Sequence, residues 1–279
     1  MLSHDDRGKL THTADSEELW KLVRDSGPDV SLRAIINKNL TEDMAVFLAK
    51  KKNTSSELLE ILAADSRFKG SYKLKLTLCK NPKTPLKVVL SLLKFLRIFD
   101  LGDLTKNQNV PINIRQKVEY SLIEKIASLP SGVKVAMTKR ASPNIIIALL
   151  EKGDRNLICS CLESPLMTED YLCTVINKPG SSPLVIKTIA EHARWSLRYR
   201  IRYALARNYH TPMILVTKFI NTLRTADLRE LYSDRSLPSS TRPYIFNELV
   251  LRDESVEIPQ EERYNLSEDE DSGFTDTEI

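Results

Sequence analysis

A run of arginine and aromatic residues between positions 194 and 207 is the strongest candidate for a chemical site in this sequence. Cations that reach phosphates, beside rings that stack on bases, are what a site for single-stranded nucleic acid needs. Aligning Asn208 with Asn81 places Arg200, Arg202 and Arg207 on a second basic set. The predicted partner-binding residues of the two sets are Lys73, Lys75, Lys80, Arg198, Tyr199, Arg200, Arg202, Tyr203 and Arg207.

The same aromatic residues also have a purely structural interpretation. On a helix, Ile201 and Leu205 share the face that points to the core, while Trp195, Tyr199 and Tyr203 form a second stripe roughly opposite. In a protein of stacked helices, that stripe can pack against the next helix instead of a ligand. We favour the packing interpretation and keep a nucleic-acid or other anionic surface as the alternative.

Sequence motifs for catalysis or cofactor binding are not found in this chain. It has no phosphate-binding G-x-x-x-x-G-K-[ST], no G-x-G-x-x-G, no H-E-x-x-H and no G-x-S-x-G. The four histidines are scattered, and the four cysteines include no C-x-x-C pair. We therefore predict a protein that is not an enzyme and has no cofactor and no metal site. The cysteines are interpreted as small buried thiols in a reducing compartment.

A sequence pattern typical of a short junction between two helices occurs twice, as CKNPKTPLKV at 79–88 and ARNYHTPMIL at 206–215. The asparagine tolerates the left-handed backbone that often ends a helix. The threonine is predicted to cap the next helix, and the proline to occupy its first position. The residues concerned are Asn81, Thr84 and Pro85 in the first junction and Asn208, Thr211 and Pro212 in the second.

Weaker copies of this junction recur along the chain. The positions that follow the predicted caps are 42, 56, 85, 111, 143, 169, 183, 212 and 238. They are separated either by 26 to 32 residues, which is the length of a helical hairpin, or by 14 residues, which is about half of it. Such a period is typical of proteins in which helical hairpins bury their apolar faces by stacking. We predict an all-α fold, an irregular α-solenoid of about seven two-helix repeats. The segment 195–207 alternates like a strand, but it runs into a junction, so we predict a helix there too.

The units around the two complete junctions resemble the bacterial HEAT-like and leucine-rich-repeat-variant α-solenoid repeat family. The resemblance implies the solenoid fold and a tendency to bind macromolecules, but no specific activity. Some leucine-rich-repeat-variant proteins hold an iron–sulfur centre in a cysteine cluster, which this chain lacks, so that cofactor is not carried over. A HEAT-like enzyme that acts on nucleic acid, such as the alkylpurine glycosylases, is a distant third interpretation. The resemblance is carried by Leu78, Lys80, Asn81, Thr84, Pro85 and Val88, and by Ala204, Leu205, Ala206, Arg207, Asn208, Thr211, Pro212 and Leu215.

Charge is distributed unevenly between the body of the chain and its C-terminal segment. Eleven acidic residues and one arginine follow residue 252, and the whole chain carries +4, so residues 1–252 carry +14. Few large apolar residues follow residue 252, which predicts a disordered acidic tail. Two roles are open for this tail: it competes with anionic partners of the basic body, or it only adds solubility. The predicted organisation is a flexible N-terminus over 1–15, a solenoid over 16–252 and the tail over 253–279.

Hydropathy and charge together limit the classes of function that we predict for this chain. The longest apolar run, residues 145–150, is far shorter than the ~20 residues that a bilayer requires. The first ten residues have no signal-peptide pattern, so we expect a cytoplasmic protein with no membrane association. The predicted function is a non-catalytic protein-interaction scaffold or adaptor whose partner is a protein. The alternative is a nucleic-acid-binding solenoid that uses a basic face.

Overall fold

A computed structural model describes residues 14–25 and 28–252 of the chain. These residues form seventeen α-helices and one 3₁₀ helix, with no strand among them. The predicted all-α class is therefore confirmed for the described part. The predicted acidic tail over 253–279 and nearly all of the predicted flexible N-terminus lie outside the described residues.

The α-helices are short, with eight to ten residues each except for the fifteen residues of α8. Helices of this length are marginal in isolation and depend on packing. The 3₁₀ helix Ser66–Phe68 lies between α4 and α5. In chain order the α-helices are α1 Ser16–Asp25, α2 Pro28–Ile36, α3 Glu42–Lys50, α4 Ser56–Ala64, α5 Tyr72–Lys80, α6 Leu86–Leu93, α7 Ile98–Lys106, α8 Ile112–Ile126, α9 Ser131–Arg140, α10 Pro143–Glu151, α11 Arg155–Leu162, α12 Glu169–Asn177, α13 Pro183–Glu191, α14 Tyr199–Arg207, α15 Met213–Ile220, α16 Thr225–Ser233 and α17 Arg242–Leu251.

The described part of the chain divides into two compact units, with the boundary between Val175 and Ile176. Within the first unit, each odd-numbered helix from α1 to α9 packs against the next odd-numbered helix. In the same unit α2 packs against α4, α6 against α8, and α8 against α10. Within the second unit α14 packs against α15, α16 against α17, and α15 against α17. Most of these short helices thus pack against helices that are close to them in sequence.

The helix bounds repeat with one constant offset, the offset that separates Asn81 from Asn208. The helices α3 to α7 begin at 42, 56, 72, 86 and 98, and α12 to α16 begin at 169, 183, 199, 213 and 225. The ends of all five helices are related by the same offset. We call residues 42–106 the first copy and residues 169–233 the second copy. The repeat found in the sequence around the two complete junctions therefore extends over five consecutive helices.

The helix prediction for the alternating segment is confirmed over Tyr199–Arg207. Ile201 and Leu205, one turn apart, are both fully buried, and the small side chains beside them, Ala204 and Ala206, are buried too. An apolar residue at every second position also satisfies the four-residue spacing of a helix, so the strand-like alternation does not decide the structure.

The two threonines of the complete junctions do not cap the following helix, so that prediction is wrong. The residue in the N-cap position is Pro85 for α6 and Pro212 for α15. The hydroxyl of Thr84 donates instead to the backbone O of Leu78, in the preceding helix, at 2.7 Å. Thr211 makes the same bond to Leu205, also at 2.7 Å. The last carbonyl groups of a helix have no hydrogen-bond partner within it. Each threonine therefore donates a hydrogen bond to a carbonyl at the end of one helix and does not cap the start of the next.

The side chain of each junction asparagine connects the end of one helix to the helix two places earlier in the chain. Asn81 has φ −81°, so it does not adopt the left-handed backbone expected for it, and Asn208, with φ −90°, does not either. The side-chain Nδ2 of Asn81 donates to the backbone O of Ala49 in α3 at 2.7 Å. Asn208 donates to Ile176 in α12 at 2.7 Å, which is the equivalent residue in the second copy. The asparagine and the threonine therefore make equivalent hydrogen bonds in the two junctions.

Candidate functional site

The predicted basic residues of the first copy contact different neighbours. Lys73 is exposed, and its Nζ lies 2.8 Å from Oδ1 of Asp43 in α3, a hydrogen bond that raises the pKa of Lys73. The ammonium group of Lys75 lies 4.4 Å from the ring centroid of Phe95. Lys80, the last residue of α5, is exposed. Lys73 and Lys75 thus contact different neighbours of α5 and do not form one basic site.

The predicted basic residues of the second copy are divided between exposed positions and internal contacts. Arg198 and Arg200 are exposed, and Arg198 occupies the N-cap position of α14. Arg207 forms an ion pair with Asp234, with Nη2 2.5 Å from Oδ2. The guanidinium group of Arg202 lies 5.8 Å from the ring centroid of Tyr199. The pair involving Arg207 removes one of the cations expected to contact phosphates.

The three aromatic residues of the predicted stripe are packed into the second unit. Trp195 lies in a turn before α14 and is only 2% exposed, so its predicted place on an outer helical stripe is wrong. Tyr199 and Tyr203 are half-buried and pack against the core cluster of the second unit. Burial raises the pKa of Tyr203, and the carboxylate of Glu230 adds to the effect. The rings therefore make the internal contacts that the packing interpretation requires.

Two of the four cysteines, Cys79 and Cys161, are fully buried. Burial raises the pKa of Cys79 and of Cys161 to about 12, so neither is a reactive thiolate near neutral pH. Among the described residues, no group of three or more histidine, cysteine, aspartate or glutamate side chains is placed to hold a metal ion. No helix in the same part of the chain is long and apolar enough to cross a membrane.

An apolar cleft of about 300 Å³ opens in the first copy, at a place that sequence reasoning missed. It is bounded by α4, the 3₁₀ helix, α5, α6 and the turn that follows α6. Its floor is formed by Leu62, Leu74, Leu78 and Leu92, all of which are buried. At its mouth lies Phe95, which is 51% exposed. An aromatic ring over a concave apolar surface is an arrangement suited to ligand contact.

Three lysines line the same cleft. Lys69 follows the 3₁₀ helix, Lys75 belongs to α5, and Lys94 follows α6. The ammonium group of Lys94 lies 5.1 Å from the ring centroid of Phe95, on which Lys75 also converges. Within the part of the chain that the structure describes, none of the three lysines forms an ion pair. Of the predicted site residues, only Lys75 belongs to this cleft.

A second, polar depression lies beside the cleft, at the start of α5, and has a volume of about 570 Å³. Its charged groups already have partners. Arg67 donates to the backbone O of Ile35 at 2.7 Å and forms an ion pair with Asp65 at 2.7 Å. Glu42 accepts a hydrogen bond of 2.6 Å from the hydroxyl of Ser71. The apolar cleft, with its unpaired lysines, is therefore the stronger candidate.

The second copy carries different residues at the positions that form the cleft. Larger rings replace two of the first copy's side chains, since Trp195 stands where the first copy has Phe68, and Phe219 stands at the place of Leu92. Both rings are buried, at 2% and 6% exposure. The polar residues Ser196, Asn221 and Thr222 stand at the places of Lys69, Lys94 and Phe95. Phe95 and two of the three lysines are thus specific to the first copy, and the signal that could have revealed them was the difference between the copies.

Comparison with protein-family models, with curated proteins and with solved structures finds no match to this chain. The protein is therefore described by its own geometry: an all-helical chain over the described residues, with a five-helix pattern written twice and one lysine-lined apolar cleft in the first copy.

Proposed function

We propose that this chain is a non-catalytic protein-interaction module, built as a HEAT-like α-solenoid, that binds a linear segment of a partner protein in the cleft of the first copy. The packing of alternate helices in the first unit supports the solenoid, because stacked helical hairpins bury their faces in this way. The expected cytoplasmic location stays a prediction. The acidic tail stays one too, because it lies outside the described residues.

The observation that carries the proposal is the half-exposed ring of Phe95 over the apolar cleft. Exposed aromatic side chains next to a pocket are typical of the few positions that supply most of the free energy of a protein interface. The floor beneath the ring consists of leucine side chains that a ligand would complete with an apolar group. A cleft of about 300 Å³ is at the small end of ligand sites, so it suits an anchor side chain rather than a folded surface.

The contacts of the predicted basic residues do not favour the nucleic-acid alternative. Lys73 is paired with Asp43 and Arg207 with Asp234. The tyrosine rings expected to stack on bases pack within the protein instead. Phosphate binding would also weaken steeply as salt is added. The logarithm of the binding constant would fall against the logarithm of the salt concentration with a slope near −0.7 per neutralised phosphate on single strands. Oligonucleotide binding therefore serves as a comparison in the tests below.

A random peptide display library, selected on the full chain, tests the proposal. The selection is repeated on the Phe95→Thr variant, which carries the residue that the second copy has at this position. The matched control is Tyr120→Thr, which removes another strongly exposed ring in the same unit. We expect enriched peptides that the parent and the control retain and the Phe95 variant loses. Failure to enrich peptides, or equal retention by all three proteins, would overturn the proposal.

A further inference from the structure

We infer that the segment bound by the cleft is acidic, with one large apolar or aromatic anchor flanked by aspartate or glutamate residues. This inference rests on the proposed function and adds the chemical class of the partner. It concerns a short stretch of protein chain, because the cleft has room for an anchor side chain and its immediate neighbours.

Three lysine side chains place positive charge at the mouth of the cleft. Lys75 and Lys94 converge on the ring of Phe95, at 4.4 and 5.1 Å from its centroid, and Lys69 lines the same opening. Lysine stems cover apolar surface while their ammonium groups stay in water. A carboxylate beside a bound anchor would therefore meet two or three cations without disturbing the apolar floor. Complementary charge of this kind sets partner choice and raises the rate of association.

The cleft lysines differ from other cations in the same protein. Lys73, on the same helix as Lys75, is already paired with Asp43. Arg140, in α9, is already paired with Asp103. The lysines of the cleft have no such carboxylate among the described residues. Lys73 and Arg140 are therefore paired with carboxylates, whereas the lysines at the mouth of the cleft remain open to an anionic ligand.

The second copy provides an internal comparison. It retains the same helix bounds, yet Phe95, Lys94 and Lys69 are all replaced there by uncharged polar residues. Only Lys75 keeps its charge, as Arg202. Since the fold keeps its helices without these three side chains, they are not needed to form the helices. The loss of the ring together with two cations is what we expect if ring and cations serve one ligand.

A nucleic acid would share the attraction to lysine, but the floor of the cleft argues against it. Single-stranded binding sites stack successive bases on several rings along a basic groove. Here one ring stands over a floor of leucine side chains, which suits an aliphatic or aromatic anchor of a peptide. We therefore commit to a protein segment and make oligonucleotide binding an outcome of the test.

The test uses two display libraries that differ only in their fixed charged positions, Asp and Glu in one and Lys and Arg in the other. Both are selected on the full chain and counter-selected on Phe95→Thr. The leading peptide is then titrated into the parent, into Lys69→Ser/Lys94→Asn and into a matched control, Lys83→Asn/Lys87→Asn. The control removes two exposed lysines from outside the cleft, so its net charge changes equally. Circular dichroism verifies that each variant is folded.

We expect Phe95-dependent peptides from the acidic library. We also expect the cleft variant to bind the leading peptide about tenfold more weakly than the control does, with a smaller loss on adding salt. Phe95-dependent peptides drawn equally or mainly from the basic library would overturn the inference and leave the proposed function standing. No Phe95-dependent peptide from either library would overturn both. A single-stranded oligonucleotide that binds more tightly than the peptide, and loses affinity in the cleft variant, would contradict a protein partner.

Discussion

The hydroxyl of Tyr72 donates a hydrogen bond to the carboxylate of Asp100, two helices further along the chain. The same oxygen accepts the backbone N–H of Arg97 at 3.0 Å, and the guanidinium group of that arginine lies 4.9 Å from the centre of the tyrosine ring. One side chain at the start of α5 therefore fixes the start of α7. The second copy repeats the arrangement at Tyr199, Asp227 and Arg224, where the N–H to hydroxyl distance is 2.9 Å.

Replacing Tyr72 or Tyr199 by phenylalanine tests whether these contacts hold the helices together. Each change removes one hydrogen bond to a carboxylate and leaves a backbone N–H without its acceptor. We expect a loss of about 1–3 kcal/mol in the free energy of unfolding for each variant. Denaturant melts measure the loss, and a second change, Asp100→Asn, should add little to Tyr72→Phe. Full additivity of the two changes would show that the residues do not act as a pair.

The same tyrosines predict how stability depends on alkaline pH. Burial raises the pKa of Tyr72 and of Tyr199 above the ordinary value of 10.0, and the neighbouring aspartates add to the effect. A raised folded-state pKa gives a stabilisation that is complete below about pH 10 and is lost as the pH rises through the folded-state pKa. We therefore expect the unfolding free energy to fall above pH 10, and to fall less in the Tyr72→Phe/Tyr199→Phe variant. Identical pH slopes for the two proteins would contradict this.

The direction of the threonine hydrogen bond gives a sharp test of the junction. The hydroxyl of Thr84 is a donor to the Leu78 carbonyl, so Thr84→Asp, which keeps only acceptors when ionised, should destabilise the protein by about 1–3 kcal/mol. Thr84→Ser keeps the donor and should cost less. If Thr84 capped the next helix, aspartate would serve as well as threonine. Thermal or denaturant melts in which Thr84→Asp matches the parent would restore the capping prediction.

Deleting residues 258–279 tests the predicted competition by the acidic tail. The deletion removes eight acidic residues and Arg263 from the chain. We expect the shortened chain to bind an acidic peptide more tightly at low salt, because the competing charge is gone and the net charge is more positive. The gain should shrink near 0.15 M salt, where the Debye length is about 8 Å. Unchanged affinity at low salt would show that the tail only adds solubility.

The helices were predictable because their apolar residues recur at three- and four-residue spacings that only a helix places on one face. The role of Thr84 was not predictable. A hydroxyl before a proline can donate a hydrogen bond to the preceding helix or accept one from the following helix, and the sequence does not show which. Trp195 was misplaced because the helical stripe was extended through a turn that precedes Tyr199. Phe95 was missed because it follows the end of α6, outside the periodic pattern, and its cleft is formed by side chains from several elements.

Photo-crosslinking at position 95 tests most directly the claim that the first copy holds a docking cleft. Benzoylphenylalanine is placed at position 95, or at position 222 of the second copy, and each protein is irradiated with the leading peptide of the acidic library. The account predicts a crosslink from position 95 that maps to the anchor residue of the peptide, and none from position 222. Crosslinking that is equal at the two positions, or a peptide that binds fully without any crosslink at position 95, would contradict it.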